Sequence, residues 1–261
     1  QCGVWLACWW AATAGASGVL PGAPATAWPA WLTQGETLVY DVSLLGKRIG
    51  RADFHLQPLS AQRYQLTLRA WTQDWWDNLY FTRDRWVMVG QHRPGQPFLT
   101  ERHDVNLREG DDHRQREAVF DRRRHQVVYR DLLAQPIAPV TLPSGPLTRD
   151  IISAMYALRA QALPLVAGAS HTLPVHDLDD GYQLHVVVGA LEAVKTRAGR
   201  FKAWRLRVRL THNTHPERVY ENVTLWVTDD ATRVPVRLSR ALPVGQFVAE
   251  LRGVGGADIP V

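Results

Sequence analysis

Hydrophobic and polar residues alternate along most of the chain after Gly35, and this alternation predicts β-strands. In residues 64–71 (YQLTLRAW), apolar side chains recur at every second position, at Tyr64, Leu66, Leu68 and Ala70. Side chains with this spacing share one face of an extended strand. Similar segments follow at short spacing, separated by Gly, Asp and Asn. The pattern therefore predicts roughly a dozen strands, joined mainly by hairpins.

One segment has a helical period instead. Its apolar residues recur at steps of three and four, at Ile151, Ile152, Met155 and Leu158. We expect a helix over residues 150–159, with Thr148 as its N-cap and the carboxylate of Asp150 favourably placed in the first turn. This helix interrupts an otherwise β-rich chain.

These elements together predict a mainly β fold. A sheet of this many strands is expected to curve, because very long open sheets rarely stay flat. We therefore predict a curved antiparallel sheet that closes toward a barrel or a sandwich, with one inserted α-helix. Residues 28–261 are predicted to form a single β-rich domain, since no repeat, low-complexity tract or long linker divides them.

The first 27 residues differ from the rest, because they carry no charged side chain. An early apolar run is followed by small residues and by Ala25-Thr26-Ala27, a pattern typical of a signal-peptidase site. We interpret residues 1–27 as a signal peptide whose basic start is missing. This predicts a protein of the periplasm or of the periplasmic face of the outer membrane. A lipid anchor at Cys8 is the alternative, whereas the apolar run is short for a transmembrane anchor.

Composition narrows the chemistry. Both cysteines lie within the first 27 residues, so residues 28–261 have no thiol for a disulfide, an iron–sulfur cluster, a cysteine-ligated zinc or a nucleophile. The formal net charge is +5, with 27 arginines and 3 lysines. This charge favours anionic partners such as phospholipid head groups, lipopolysaccharide or acidic glycans. Nucleic acid is not expected, because no nucleic-acid-binding module is recognisable.

No catalytic motif is recognisable, and we predict no catalytic residues. The chain has no Gly-x-Ser-x-Gly elbow, no Walker lysine and no dinucleotide-binding glycine motif. His212 and His215 lack the spacing of a zincin, so neither a metal site nor a cofactor is expected. A glycosidase-like carboxylate pair stays open, since such pairs meet only in space. The candidates, each of which also has an ordinary turn or surface role, are Asp177, Asp179, Asp180 and Glu192.

An aromatic cluster in residues 71–86 is the first candidate ligand-binding surface. Trp75 and Trp76 cannot both point into a core from one regular strand. Exposed aromatic side chains, here these two and Tyr80, are typical of surfaces that stack on glycans or lie at a lipid interface. The alternative is a bulge or turn that buries the rings.

A row of arginines in residues 203–210 (AWRLRVRL) is the second candidate surface. Arg205, Arg207 and Arg209 alternate with apolar residues and share one strand face. Three guanidinium groups in a row are suited to phosphates or carboxylates. The alternative is a solvated face on which the arginines pair with acidic residues of neighbouring strands.

Four segments stand out in order along the chain: GETLVYDVSLLGKRIGRADFHL, the helical DIISAMYALRAQALPLVAG, EAVKTRAGRFKAWRL, and LWVTDDATRVPVRL with its adjacent aspartates in a predicted hairpin turn. Together they resemble an exported bacterial family, domain of unknown function 3108, over nearly all of residues 28–261. The resemblance implies an envelope protein with a mainly antiparallel, curved β architecture. It carries over no catalytic residues, because no activity is established for that family.

The sequence thus favours a non-catalytic binding protein of the envelope. A curved sheet would leave a concave, partly apolar face for an amphipathic ligand, a lipid or a glycolipid, and the positive charge suits peripheral membrane association. Two alternatives stay open. If the helix fills the concave face, the protein is a scaffold or protein-interaction module. If two of the candidate carboxylates converge beside Trp75 and Trp76, it is a polysaccharide-acting enzyme.

Overall fold

The structure, a computed structural model, describes residues 28–73, 76–161 and 164–255. The predicted signal peptide and Trp75 lie outside these ranges. Within them the chain forms fourteen strands: β1 Glu36–Leu44, β2 Lys47–Pro58, β3 Arg63–Thr72, β4 Arg83–Arg93, β5 Gln96–Glu109, β6 Asp112–Asp121, β7 Gln126–Asp131, β8 Val140–Pro143, β9 Ser170–Asp177, β10 Asp180–Thr196, β11 Gly199–His212, β12 Val219–Thr228, β13 Pro235–Leu242 and β14 Gly245–Gly255.

All fourteen strands belong to one antiparallel sheet. Strands adjacent in sequence pair with each other, except that β8 and β9 are separated and β14 pairs with β1. The two edges of the sheet are therefore β8 and β9, and they do not pair with each other. The prediction of a mainly β, curved antiparallel sheet is confirmed, and the sheet stays open rather than closing into a barrel.

The alternation of the sequence places one face of the sheet in the interior. Tyr64, Leu66 and Leu68 on β3 are each at most 1% exposed, as the two-residue period predicted. The same holds on β11, where Leu206, Val208 and Leu210 are buried. This inner face supplies the apolar surface against which the rest of the chain packs.

One edge strand, β9, contacts the segment around Arg149, and the turn that follows β9 contacts the first half of the sheet. The backbone N–H of His176 on β9 donates to the carbonyl of Arg149 at 2.8 Å. Leu178, in the turn after β9, is buried against Val105 and Phe120 of β5 and β6. The hairpin of β9 and β10 therefore packs on β5 and β6, and the sheet curls around its inner face.

Three helices accompany the strands in the described part of the chain: α1 Ala30–Gln34, α2 Trp76–Leu79 and α3 Ile151–Ala160. The prediction of a single helix was wrong for α1 and α2, which have only five and four residues and show no periodic pattern. The predicted N-cap was also wrong. Asp150, not Thr148, caps α3, because its carboxylate accepts the backbone N–H of Ser153 at 2.8 Å. No described helix is long and apolar enough to cross a bilayer.

A candidate ligand-binding cavity

Helix α3 lies inside the curled sheet and contacts both of its halves. Ile152 packs against apolar residues of β1–β3, while Met155 and Leu158 pack against those of β10–β12. A buried polar network fixes the start of the helix, because Asp150 accepts the hydroxyl of Thr100 on β5 at 2.6 Å. The hydroxyl of Tyr64 on β3 donates to Ser153 at 2.9 Å. The position of α3 is therefore set by polar contacts at one end and by apolar contacts along its length.

A cavity of about 120 Å³ remains between α3 and the inner face of the sheet. Its walls are mainly aliphatic and aromatic side chains from α3, β1–β3 and β10–β14, including Leu68, Met155, Leu184, Leu225 and Ala249. Among the described residues that line it there are four arginines, Arg51, Arg159, Arg233 and Arg237, and no carboxylate.

Arg159, at the last turn of α3, is the most buried of these arginines. Its guanidinium donates to both carboxylate oxygens of Glu36 on β1 and to the carbonyl of Thr232, the latter at 3.0 and 3.3 Å. It also lies over the ring of Trp31, 4.0 Å from the ring centre. Burial alone would lower the pKa of Arg159, but the charge and hydrogen bonds of Glu36 outweigh this effect and raise it. Arg159 therefore stays charged and joins α3 to three other parts of the chain.

Of the described aromatic residues in 71–86, Trp71 on β3 lines this cavity, whereas Trp76 and Tyr80 lie outside its lining. Trp76, on α2, and Tyr80 are half-buried and pack against an apolar cluster that includes Val42 and Ile49. Phe81 is 37% exposed, and the guanidinium of Arg83 lies over its ring. Ligand binding by Trp76 and Tyr80 stays a prediction.

The predicted arginine row also lies outside the described cavity lining. Arg205, Arg207 and Arg209 alternate along β11 with residues of the inner face. Arg205 forms an ion pair with Glu192 on β10 at 3.0 Å, as the solvated-face alternative expected. Arg207 is exposed, and a ligand-binding role for the row stays a prediction.

The candidate carboxylates lie in two places. Asp177, Asp179 and Asp180 lie at the turn between β9 and β10, where Asp180 is 2.9 Å from Nε2 of His212. Burial and the neighbouring carboxylate of Asp179 raise the pKa of Asp177 to about 7. Glu192 accepts the indole N–H of Trp226 at 2.9 Å instead. Across residues 28–73, 76–161 and 164–255, no three histidines or acidic residues converge as a metal site would require.

Sequence reasoning missed the residues that line the cavity. Its walls combine strands from both ends of the chain, so no local pattern brings Leu68 and Leu225 together. The one available signal was the helix, since Met155 and Leu158 on its apolar face required a partner surface. Nothing in the sequence distinguished Arg159 from the other arginines.

Comparisons with known proteins agree with this architecture. A family model described as "Protein of unknown function (DUF3108)" matches residues 39–252. The chain is similar in fold to a β-barrel-like protein of domain of unknown function DUF1849 from Brucella abortus, with a TM-score of 0.56 and 12% identity over 87% of this chain and 99% of that one. No curated protein matches significantly.

Two further solved structures are more distant. One is a protein with a YmcC-like fold from Bacteroides fragilis, with a TM-score of 0.33 and 10% identity over 85% of this chain and 96% of that one. The other is a hypothetical protein from Chlamydia trachomatis, with a TM-score of 0.29 and 10% identity over 85% of this chain and 88% of that one. Neither similarity is close enough to inform the site.

Proposed function

The chain belongs to the DUF3108 family of unknown function, and we propose that it is a non-catalytic binding protein of the bacterial cell envelope for an amphipathic ligand, a lipid or a glycolipid. The observation that carries this proposal is the cavity between α3 and the curled sheet. Its walls are mainly apolar, and it lies between the inner face of the sheet and α3.

The size of the cavity limits what enters it. A cavity of about 150 Å³ lined by apolar side chains is known to take up benzene in another protein. At about 120 Å³, this cavity has room for a short hydrocarbon segment, and a longer acyl chain needs α3 or the strands to move. Transfer of each methylene group from water to such walls contributes about 0.8 kcal/mol. A hydrocarbon tail is therefore the part of the ligand that the cavity recognises.

A location in the periplasm, after cleavage of residues 1–27, fits this role. The net charge of +5 favours approach to anionic head groups at a membrane surface. The fold class also suits the role, because a curled β-sheet encloses a small ligand between its inner face and a covering element.

A scaffold or protein-interaction module is the second candidate function. It is favoured by α3, which occupies much of the concave face and contacts both halves of the sheet. In that case the cavity is a packing defect and takes up nothing. The two functions differ in whether the protein carries a ligand when it is isolated.

Mass spectrometry of organic extracts distinguishes them. The protein is purified from a bacterial envelope after native export, together with Ala249→Phe, which fills the cavity, and Ala241→Phe, which places the same ring at an exposed position of β13. We expect about one lipid or glycolipid per chain in the wild type and in Ala241→Phe, and none in Ala249→Phe. Equal lipid content in all three proteins, or none in any, contradicts the proposal.

A further inference from the structure

The turn between β12 and β13 holds one cavity arginine, Arg233, in a fixed position. The carboxylate of Asp230 accepts the backbone N–H groups of Thr232 and Arg233, at 2.8 and 3.1 Å. From the other side, Arg159 binds the carbonyl of Thr232. Arg233 also has a positive φ of 48°, a conformation that costs energy for a residue other than glycine. The turn therefore presents the Arg233 side chain to the cavity from a constrained backbone.

Arg233 differs from the other cavity arginines in its partners. Arg159 is bound to Glu36, and Arg237 is bound to Glu250. Arg51 lies 3.7 Å from the carboxylate of Asp41. Arg233 has no ion pair and no side-chain hydrogen bond within the described residues, although it is half-buried and lines the cavity. Burial lowers its pKa. A half-buried guanidinium without a counter-charge keeps its N–H donors available for an incoming anion, which supplies the missing charge.

His171, on the edge strand β9, lines the same cavity close to this arginine. Its side chain is buried, and neither ring nitrogen makes a hydrogen bond of normal geometry with another described residue. Burial lowers the pKa of His171, the nearby carbonyl of Pro164 raises it, and the charge of Arg233 lowers it again. The lowered pKa favours the neutral ring, which carries one N–H.

We infer that the head group of the ligand is an anion, a carboxylate or a phosphate, bound by Arg233 and His171 at the wall of the cavity while the tail lies against α3. This inference rests on the proposed function. A guanidinium binds either anion through two parallel N–H donors, and the imidazole supplies a third. The absence of carboxylates from the described lining leaves no group there that repels the anion.

Calorimetric titration with three ligands of equal chain length tests the inference. Octanoate, octyl phosphate and 1-octanol each have a chain of eight carbons, of which the carboxyl carbon is one in octanoate, and they differ in the head group. We expect octanoate or octyl phosphate to bind about tenfold or more tightly than 1-octanol, because a hydrogen bond to a charged group is stronger than one to a neutral group. Whichever anion binds more tightly identifies the head group as carboxylate or phosphate.

Two variants and a control locate the binding site. Arg233→Gln is expected to remove the preference for the anion and leave the affinity for 1-octanol unchanged, and His171→Leu is expected to reduce the preference. Arg207→Gln, which removes an exposed arginine of β11, is expected to bind all three ligands as the wild type does.

The outcomes separate this inference from the proposed function. If 1-octanol binds as tightly as both anions, and Arg233→Gln changes no affinity, the inference is wrong, but the proposal that the cavity binds a hydrocarbon tail is still supported. An anion preference that Arg207→Gln abolishes and Arg233→Gln keeps also overturns it, because the head group then binds elsewhere. If none of the three ligands binds, the proposed function fails together with the inference.

Discussion

Replacing Arg159 by methionine is expected to destabilise the protein strongly, because it leaves the carboxylate of Glu36 buried without a partner. The Glu36 side chain is only 6% exposed, and the Arg159 side chain 4%. The substitution removes both hydrogen bonds to Glu36, both hydrogen bonds to the Thr232 carbonyl and the contact with Trp31.

The expected loss is about 3–5 kcal/mol in the free energy of unfolding, the usual result of breaking a buried ion pair by removing one partner. The contribution of the cation–π contact with Trp31 is included in this range, because the energies of neighbouring contacts do not simply add. Replacing both members of the pair, in Glu36→Met with Arg159→Met, removes the buried charge altogether. Thr232 is exposed, so water can reach this residue in the double variant. We therefore expect the double variant to be more stable than Arg159→Met alone.

Urea unfolding followed by tryptophan fluorescence measures these differences in the wild type, both single variants and the double variant. The pair is coupled if the loss in the double variant is smaller than the sum of the two single losses by at least about 1 kcal/mol. Additive losses, or a loss below about 1 kcal/mol for Arg159→Met, would refute the conclusion that Arg159 joins α3 to β1 through a buried charge pair.

Three other substitutions test the packing and electrostatics of the fold. Gly90→Ala should lower the free energy of unfolding by about 1–3 kcal/mol, because its methyl group would contact the carbonyl of Leu99 and lie 2.6 Å from the Tyr64 hydroxyl. Gly253→Ala places its methyl group in open space and should be nearly neutral. Equal melting temperatures of the two variants would contradict this expectation. Asp150→Ala should lower the free energy of unfolding by about 1–2 kcal/mol, because it removes the N-cap of α3. Asp150→Asn keeps an acceptor oxygen and should lower it less. Equal losses of the two variants in urea unfolding would show that the cap is unimportant. Asp84→Asn tests a buried carboxyl group whose pKa is raised to about 8, first by burial and then by the charge of Glu109. The unfolded chain loses this proton near pH 4, so the wild type loses stability as the pH rises from about 4 to 8. The free energy of unfolding of Asp84→Asn, relative to that of the wild type, should therefore increase by about 3 kcal/mol between pH 5 and 7. A difference in stability that stays constant with pH would contradict the raised pKa.

The two-residue period predicted the strands well, because burial of one face is a local requirement that each strand meets with its own residues. The segment 223–238 illustrates this. Val223, Leu225 and Val227 are buried on β12, a bulge lies between Trp226 and Val227 opposite Pro235, and Asp230 caps the turn as expected of aspartate. The turn residues, whose roles depend on neighbours in sequence, could be predicted equally well.

Features that depend on residues far apart in the sequence could not be predicted from it. Helix α1 has no side-chain N-cap, and its residues Trp31 and Leu32 are buried beside Tyr64 and Phe98, so tertiary packing stabilises it. Thr148 was a plausible N-cap in sequence, but its hydroxyl accepts the N–H of Gly145. The buried ion pair beside the cavity is an extreme case, since Glu36 and Arg159 lie 123 residues apart and no spacing rule relates them.

A crystal structure of the protein with octanoate shows whether the cavity between α3 and the sheet is the binding site. We expect the hydrocarbon chain between α3 and the inner face of β10–β14, in contact with Leu225 and Ala249. Octanoate bound instead on α2 beside Trp76, or along the row that contains Arg205, would contradict it, because the cavity would then not be the binding site.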